Sequence, residues 1–117
     1  AGENEETGDD DDALCGPDED LGELPCRIPR FDRAFQERMG SIPRHVMRGA
    51  LSLAGRLAGG EAAAFRGAKR LRHAPDYWRQ RLGDWRLLFR MLPDAIEIVD
   101  IEHRSRLQRR VESLRNA

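Results

Sequence analysis

The feature that most constrains this chain is the stretch 77–91, where apolar and charged side chains alternate around a Gly-Asp pair. Tyr77 to Leu82 and Trp85 to Met91 show the period of two expected of strands. Gly83-Asp84 between them suits a two-residue type II′ turn, with glycine where φ must be positive. That turn sets Leu82 opposite Trp85, Arg81 opposite Arg86, Gln80 opposite Leu87, Arg79 opposite Leu88 and Trp78 opposite Phe89. Alternation collects Trp78, Gln80, Leu82, Trp85, Leu87, Phe89 and Met91 on one face. The other face collects Tyr77, Arg79, Arg81, Arg86, Leu88 and Arg90. One surface reads as a core and the other as a plate of arginines.

The remaining elements follow from shorter signals. Leu24 to Ile28 is a candidate first strand. Phe31, Phe35 and Met39 recur at helical spacing, and Gly40 suits the position after a helix end. Ser41 is a candidate N-cap for a second helix, with Pro43 in its first turn and Val46, Ala50, Leu53 and Leu57 as its buried stripe, flanked by Met47 and Leu51. Gly59-Gly60 stops it, so the two helices are expected to form a hairpin. Pro93-Asp94 marks a turn before a third strand, Ala95 to Ile101. This strand carries apolar residues on both parities, as if covered on both faces near its end. From Ser105 onward Leu107, Val111 and Leu114 predict a C-terminal helix. The expected class is α+β: an N-terminal helical hairpin packed on a small antiparallel sheet, closed by a C-terminal helix.

Charge divides the chain of 117 residues in two. Residues 1–26 hold eleven acids and no Lys or Arg, while residues 27–117 hold ten acids and all twenty bases. The formal sum of −1 therefore joins a segment of −11 to a body of +10. The expected organisation is an acidic tail, residues 1–23, that cannot offset the entropy of ordering, and one domain, residues 24–117. About 90 residues suffice for one core. No apolar run approaches the roughly 20 residues of a membrane span, and the N-terminal residues lack the pattern of a signal peptide. A cytoplasmic protein without membrane contact is the expectation. Cys15 and Cys26 have no ligand-spaced partners, so two free thiols and no metal or cofactor are expected.

Arg81 opposite Arg86 is an unfavourable pair, costing a few tenths to about 1 kcal/mol. Two readings of the plate stand side by side. It is a solvated face in a protein whose bases are all Arg except Lys69, or it is a site for an anion that offsets the repulsion. Lys69, Arg70 and Arg72 lead into the same strand and, with Arg90, are candidate residues for binding such an anion, whether a phosphate backbone such as RNA or a carboxylate-rich peptide.

The run from Leu71 through Trp78-Arg79-Gln80-Arg81-Leu82-Gly83-Asp84-Trp85-Arg86 to Arg90, closed by Ile101-Glu102-His103-Arg104, resembles the RelE/ParE toxin superfamily. The resemblance covers roughly residues 24–117. It implies a small α+β fold and a cognate antitoxin. RelE-type members cleave messenger RNA on the ribosome, whereas ParE-type members act on DNA gyrase and lack the nuclease residues. Position by position, Arg79 and Arg81 match the basic pair of the RelE-type strand. Arg86 matches the arginine after Gly-Asp-aromatic, and Arg104 the closing one. Many members have tyrosine four residues later, where this chain has Gln108, which transfers no proton at neutral pH.

These residues define a chemical expectation. Attack of a 2′-hydroxyl on phosphate needs in-line placement, charge stabilisation and proton transfer. Arginine supplies planar forks for phosphate oxygens but, staying protonated, no proton transfer. His103 is the one matched group with a suitable ordinary pKa, near 6.5. The expected catalytic set is therefore Arg79, Arg81, Arg86, His103 and Arg104, with messenger RNA on the ribosome as substrate. His103 has a plainer alternative as a hydrogen-bonded residue at a strand end. At the level of the whole protein, the alternatives are a ParE-like toxin acting by protein binding and an inactive RelE-fold module binding RNA or protein. The acidic tail is either a solvated appendage or an intramolecular partner of the arginines, favoured by its high effective concentration.

Overall fold

The computed structural model describes residues 13–115. Its sheet is built from β1 (Ile28–Phe31), β2 (Lys69–Arg70), β3 (Trp78–Leu82), β4 (Trp85–Met91) and β5 (Ala95–His103), in the spatial order β1-β5-β4-β3-β2. Three α-helices accompany it: α1 (Arg33–Arg38), α2 (Arg44–Ala58) and α3 (Leu107–Arg115). The sheet is mixed rather than antiparallel, because β1 runs parallel to β5 with Ile28 opposite Ala95 and Phe31 opposite Ile98. The α+β class stands.

That long-range pairing also moves the first strand downstream of the expected Leu24 to Ile28. β1 lies where its partner on β5 is, and Pro29 is tolerated because an edge strand leaves one side of its backbone unpaired. Phe31 thus belongs to a strand, yet its ring stacks on Phe35 with centroids 5.6 Å apart. Asp32 caps α1 by accepting the Ala34 N–H. Ser41 does not cap α2: its hydroxyl donates to the Arg38 carbonyl, and Pro43 occupies the N-cap position. Helix α2 buries Val46, Ala50, Leu53 and Leu57 as expected, together with Met47, but leaves Leu51 exposed. Both α1 and α2 pack on β5. Gly60 ends the region at φ +74°, where a Cβ would lie 2.4 Å from the Leu24 carbonyl oxygen.

The β3–β4 hairpin has the expected register at all five pairs. Gly83 sits at φ +61°, and no non-glycine described residue has positive φ, as a type II′ turn requires. β5 is longer than expected and carries a bulge. Leu88 faces Asp100 and Phe89 faces Ile98, so Val99 is the extra residue. The bulge explains the apolar residues on both parities: Ile96, Ile98 and Ile101 join the main core, while Val99 joins a second one.

The main core contains Phe35, Leu53, Leu57, Phe65, Trp78, Leu87 and Phe89, with the β3–β4 face resting on α2. Trp78 stacks on Phe89 at 6.5 Å, and Phe65 meets Phe89 edge-on at 6.3 Å. The second core lies on the opposite face, where Cys15, Leu71, Leu88, Val99, Leu107 and Val111 are buried together.

Candidate functional site: the arginine face of the hairpin

That second core occupies the face expected to be an open plate. Leu88, in the middle of the arginines, is fully buried against α3 and the N-terminal segment. The flanking arginines are buried with it, Arg79 at 0% and Arg86 at 3% exposure. The expectation of four accessible guanidinium groups is corrected accordingly. Arg79 donates from Nε to the Cys15 sulfur at 3.4 Å and from Nη1 to the Gly67 carbonyl at 3.3 Å. Arg86 donates from Nη1 to the Gly83 and Trp85 carbonyls at 2.7 and 2.9 Å, bracing the hairpin turn. Arg81 remains exposed. It borders a cleft of about 300 Å³ whose other basic residues are Arg56 and Arg66.

The face is also less one-signed than the hairpin alone suggests, because β5 supplies acids beside it. In the β4–β5 register Arg86 faces Glu102, Leu88 faces Asp100 and Arg90 faces Glu97. Asp100 and Glu102 are buried at 3% and 5%. Asp100 accepts from Arg38 Nη1 at 2.5 Å and pairs with Arg110 Nε at 2.7 Å. Glu102 takes Arg106 Nε at 3.0 Å and lies 3.6 Å from Arg38 Nη2. Burial alone would raise the Glu102 pKa. The hydrogen bonds from Arg106 and the His103 N–H, with the charges of Arg38 and Arg106, outweigh it and hold the carboxyl below the usual range. This network joins α1, β5 and α3. Sequence reading missed it, although extending the cross-strand register to Glu97, Asp100 and Glu102 would have signalled it; the bulge at Val99 conceals the parity.

The remaining candidates are dispersed. His103 is paired in register with Trp85, on the main-core face, and its ring meets that indole edge-on at 5.4 Å. Its Nδ1 accepts the Ser105 N–H at 3.2 Å, capping a 3-10 turn over Arg104–Arg106. The strand-end alternative describes this placement. Arg104 binds the hairpin turn, its N–H donating to the Asp84 carbonyl at 2.9 Å and its Nε to Asp84 Oδ1 at 3.3 Å. Arg90 pairs with Glu97 at 3.1 Å and lies 5.9 Å from the centre of the Tyr77 ring. Gln108 lies exposed on α3, with its amide 3.4 Å from Glu112.

Lys69, Arg70 and Arg72 gather at the β2 edge, where the acidic N-terminal segment meets them. Asp18 pairs with Lys69 and Glu19 with Arg70, and Arg72 Nη2 donates to the Cys15 carbonyl at 3.2 Å. Of the expected tail, residues 13–23 are described and this part touches the domain; residues 1–12 lie outside the described residues. Among the described residues no group of three or more His, Cys, Asp or Glu side chains is placed to hold a metal ion. No helix among them is long and apolar enough to cross a membrane.

The segment that carries the hairpin and the long bulged strand matches a known family. The model of the ParE toxin of type II toxin–antitoxin systems (parDE) aligns with residues 19–108. The chain belongs to the RelE/ParE toxin family. Solved structures agree on the fold of this toxin. The RelBE2 toxin–antitoxin complex of Mycobacterium tuberculosis contains a chain 22% identical, with a TM-score of 0.57 over 67% of this chain and 98% of that one. The RelB–RelE complex of Methanococcus jannaschii gives 16% identity and a TM-score of 0.57, covering 69% and 96%. A free E. coli RelE mutant gives 14% and 0.59, covering 75% and 92%. No curated protein sequence matches the chain significantly.

Proposed function

We propose that this toxin disables its target by binding it rather than by cutting RNA, and that a cognate antitoxin holds it in check. The observation that carries this reading is the burial of Arg79 and Arg86, with Arg79 donating to the Cys15 sulfur and the Gly67 carbonyl and Arg86 to the Gly83 and Trp85 carbonyls. In-line cleavage needs guanidinium groups and a proton-transfer group converging on one phosphate. His103 stands on the other face of the sheet and Gln108 offers no proton. Their positions support a binding toxin, the mode the resemblance attaches to ParE-type members, with DNA gyrase as the first target to test. The exposed cleft of Arg56, Arg66 and Arg81 suits acidic groups on a protein partner. The antitoxin is supported by relatives solved as RelB–RelE complexes.

The messenger-RNA reading retains one observation in its favour, the exposure of Arg81 and Arg104. Induced expression separates the two. Growth arrest with intact messages, and inhibition of gyrase supercoiling by the purified protein, are expected. Cuts inside codons on programmed ribosomes, abolished by Arg81→Ala, would reinstate RNA cleavage by this toxin.

A further inference from the structure

β2 is the last named strand on its side of the sheet, and residues 14–16 pair with the backbone along it. Gly16 N–H donates to the Arg70 carbonyl and Arg72 N–H to the Leu14 carbonyl, both at 2.8 Å, with Cys15 bridged antiparallel to Leu71. Cys15 is 2% exposed, packed with Leu71, Ala74 and Leu88. Further along, Asp18 lies 3.7 Å from Lys69 Nζ. Glu19 receives Arg70 Nε and Nη2 at 3.0 and 3.2 Å, while the same guanidinium covers the Trp78 ring at 4.6 Å. Backbone pairing, one side-chain socket and a charge clamp are the means by which a sheet edge recognises an extended peptide. The family match begins at residue 19, so residues 14–18 precede the shared region.

We infer that the β2 edge is a peptide-recognition groove, filled in the resting protein by the chain's own Leu14–Glu19 segment and opened to a partner by strand exchange. The incoming segment is extended, sets a small apolar residue in the Cys15 socket and carries carboxylates three and four residues later. The resident is exchangeable because its clamps are ion pairs between partly exposed side chains, which hold weakly. Covalent attachment keeps it in place against a free competitor through its effective concentration. The inference rests on the toxin–antitoxin reading only for the source of the incoming segment.

A labelled peptide spanning residues 13–23, titrated into the full chain by fluorescence anisotropy, tests the groove. The Asp18→Asn/Glu19→Gln double variant is expected to bind it at least about tenfold more tightly than the unaltered chain, since its own segment competes less. Adding Arg70→Ala to that variant should remove the gain. Hydrogen exchange provides the second measurement. The Gly16 and Arg72 amides should be protected in the unaltered chain and exchange on the order of tenfold faster in the double variant, with β4 and β5 unchanged. Equal peptide affinity for both proteins, or unprotected Gly16 and Arg72 amides in the unaltered chain, would overturn the inference. Neither measurement uses an antitoxin, so a protein without toxicity but with these results would lose the proposed function and keep the groove.

Discussion

The two faces of the β3–β4 hairpin come from the same residues in alternation, yet they are buried by different means. The Trp78–Leu87–Phe89 face is covered by α2 and the Phe65 turn, and its contacts are apolar and aromatic. The opposite face is covered by α3 and residues 14–15, segments from the two ends of the described chain. Its interior includes Arg79, Arg86, Asp100 and Glu102. A charged group inside a protein keeps its place through hydrogen bonds and opposite charge, so this second face depends on geometry more than on area. Alternation sorts side chains between faces, but it does not say which face meets water.

The largest loss of stability is expected from the apolar face. Phe89→Ala removes the ring shared by Trp78 and Phe65 and should cost about 3–5 kcal/mol in urea unfolding. A smaller loss than that produced by changes on the arginine face would reverse the ranking of the two cores. Asp100→Ala should cost about 3 kcal/mol, because it strips Arg38 and Arg110 of their shared carboxylate. Its loss should be recovered in part by an Arg110→Met companion change, as no apolar-face variant would be.

Acid should weaken the arginine face selectively. The folded Glu102 carboxyl is held below its unfolded value. Its contribution to stability is therefore complete above that unfolded value and is lost as pH falls through the lower folded one. Glu102→Gln should flatten this part of the acid limb in urea midpoints measured from neutral to acid pH; an unchanged slope would remove Glu102 from the account. The smallest effect is kinetic and leaves the fold intact. Cys26 is exposed and Cys15 buried, so a thiol reagent should modify Cys26 first and Cys15 only as the β2 edge opens. Equal rates would mean that residues 14–16 do not cover the face.

The legibility of the fold followed the range of its interactions. The hairpin register was readable because a two-residue turn with Gly83 leaves one pairing, and each partner lies within a few residues. The α2 stripe was readable for the same reason. The first strand lies downstream of Leu24 to Ile28 because Ile28–Phe31 is positioned by a parallel partner at Ala95–Ile98, which no local period reports. Ser41 offered the chemistry of a cap, but its hydroxyl found the Arg38 carbonyl instead.

The family pattern, the α+β class, the separation of arginine from tryptophan and the division of charge along the chain are all present in the linear order of residues. Each of these depends on residue type and spacing along the chain. Only the folded chain makes Arg79 and Arg86 interior, pairs His103 with Trp85 on the opposite face and lays part of the acidic segment on the β2 edge. Those outcomes depend on which distant segment covers a surface. Leu14–Cys15 and α3 settle this by occupying the space over Leu88, where burial becomes favourable only once both ends of the domain have arrived.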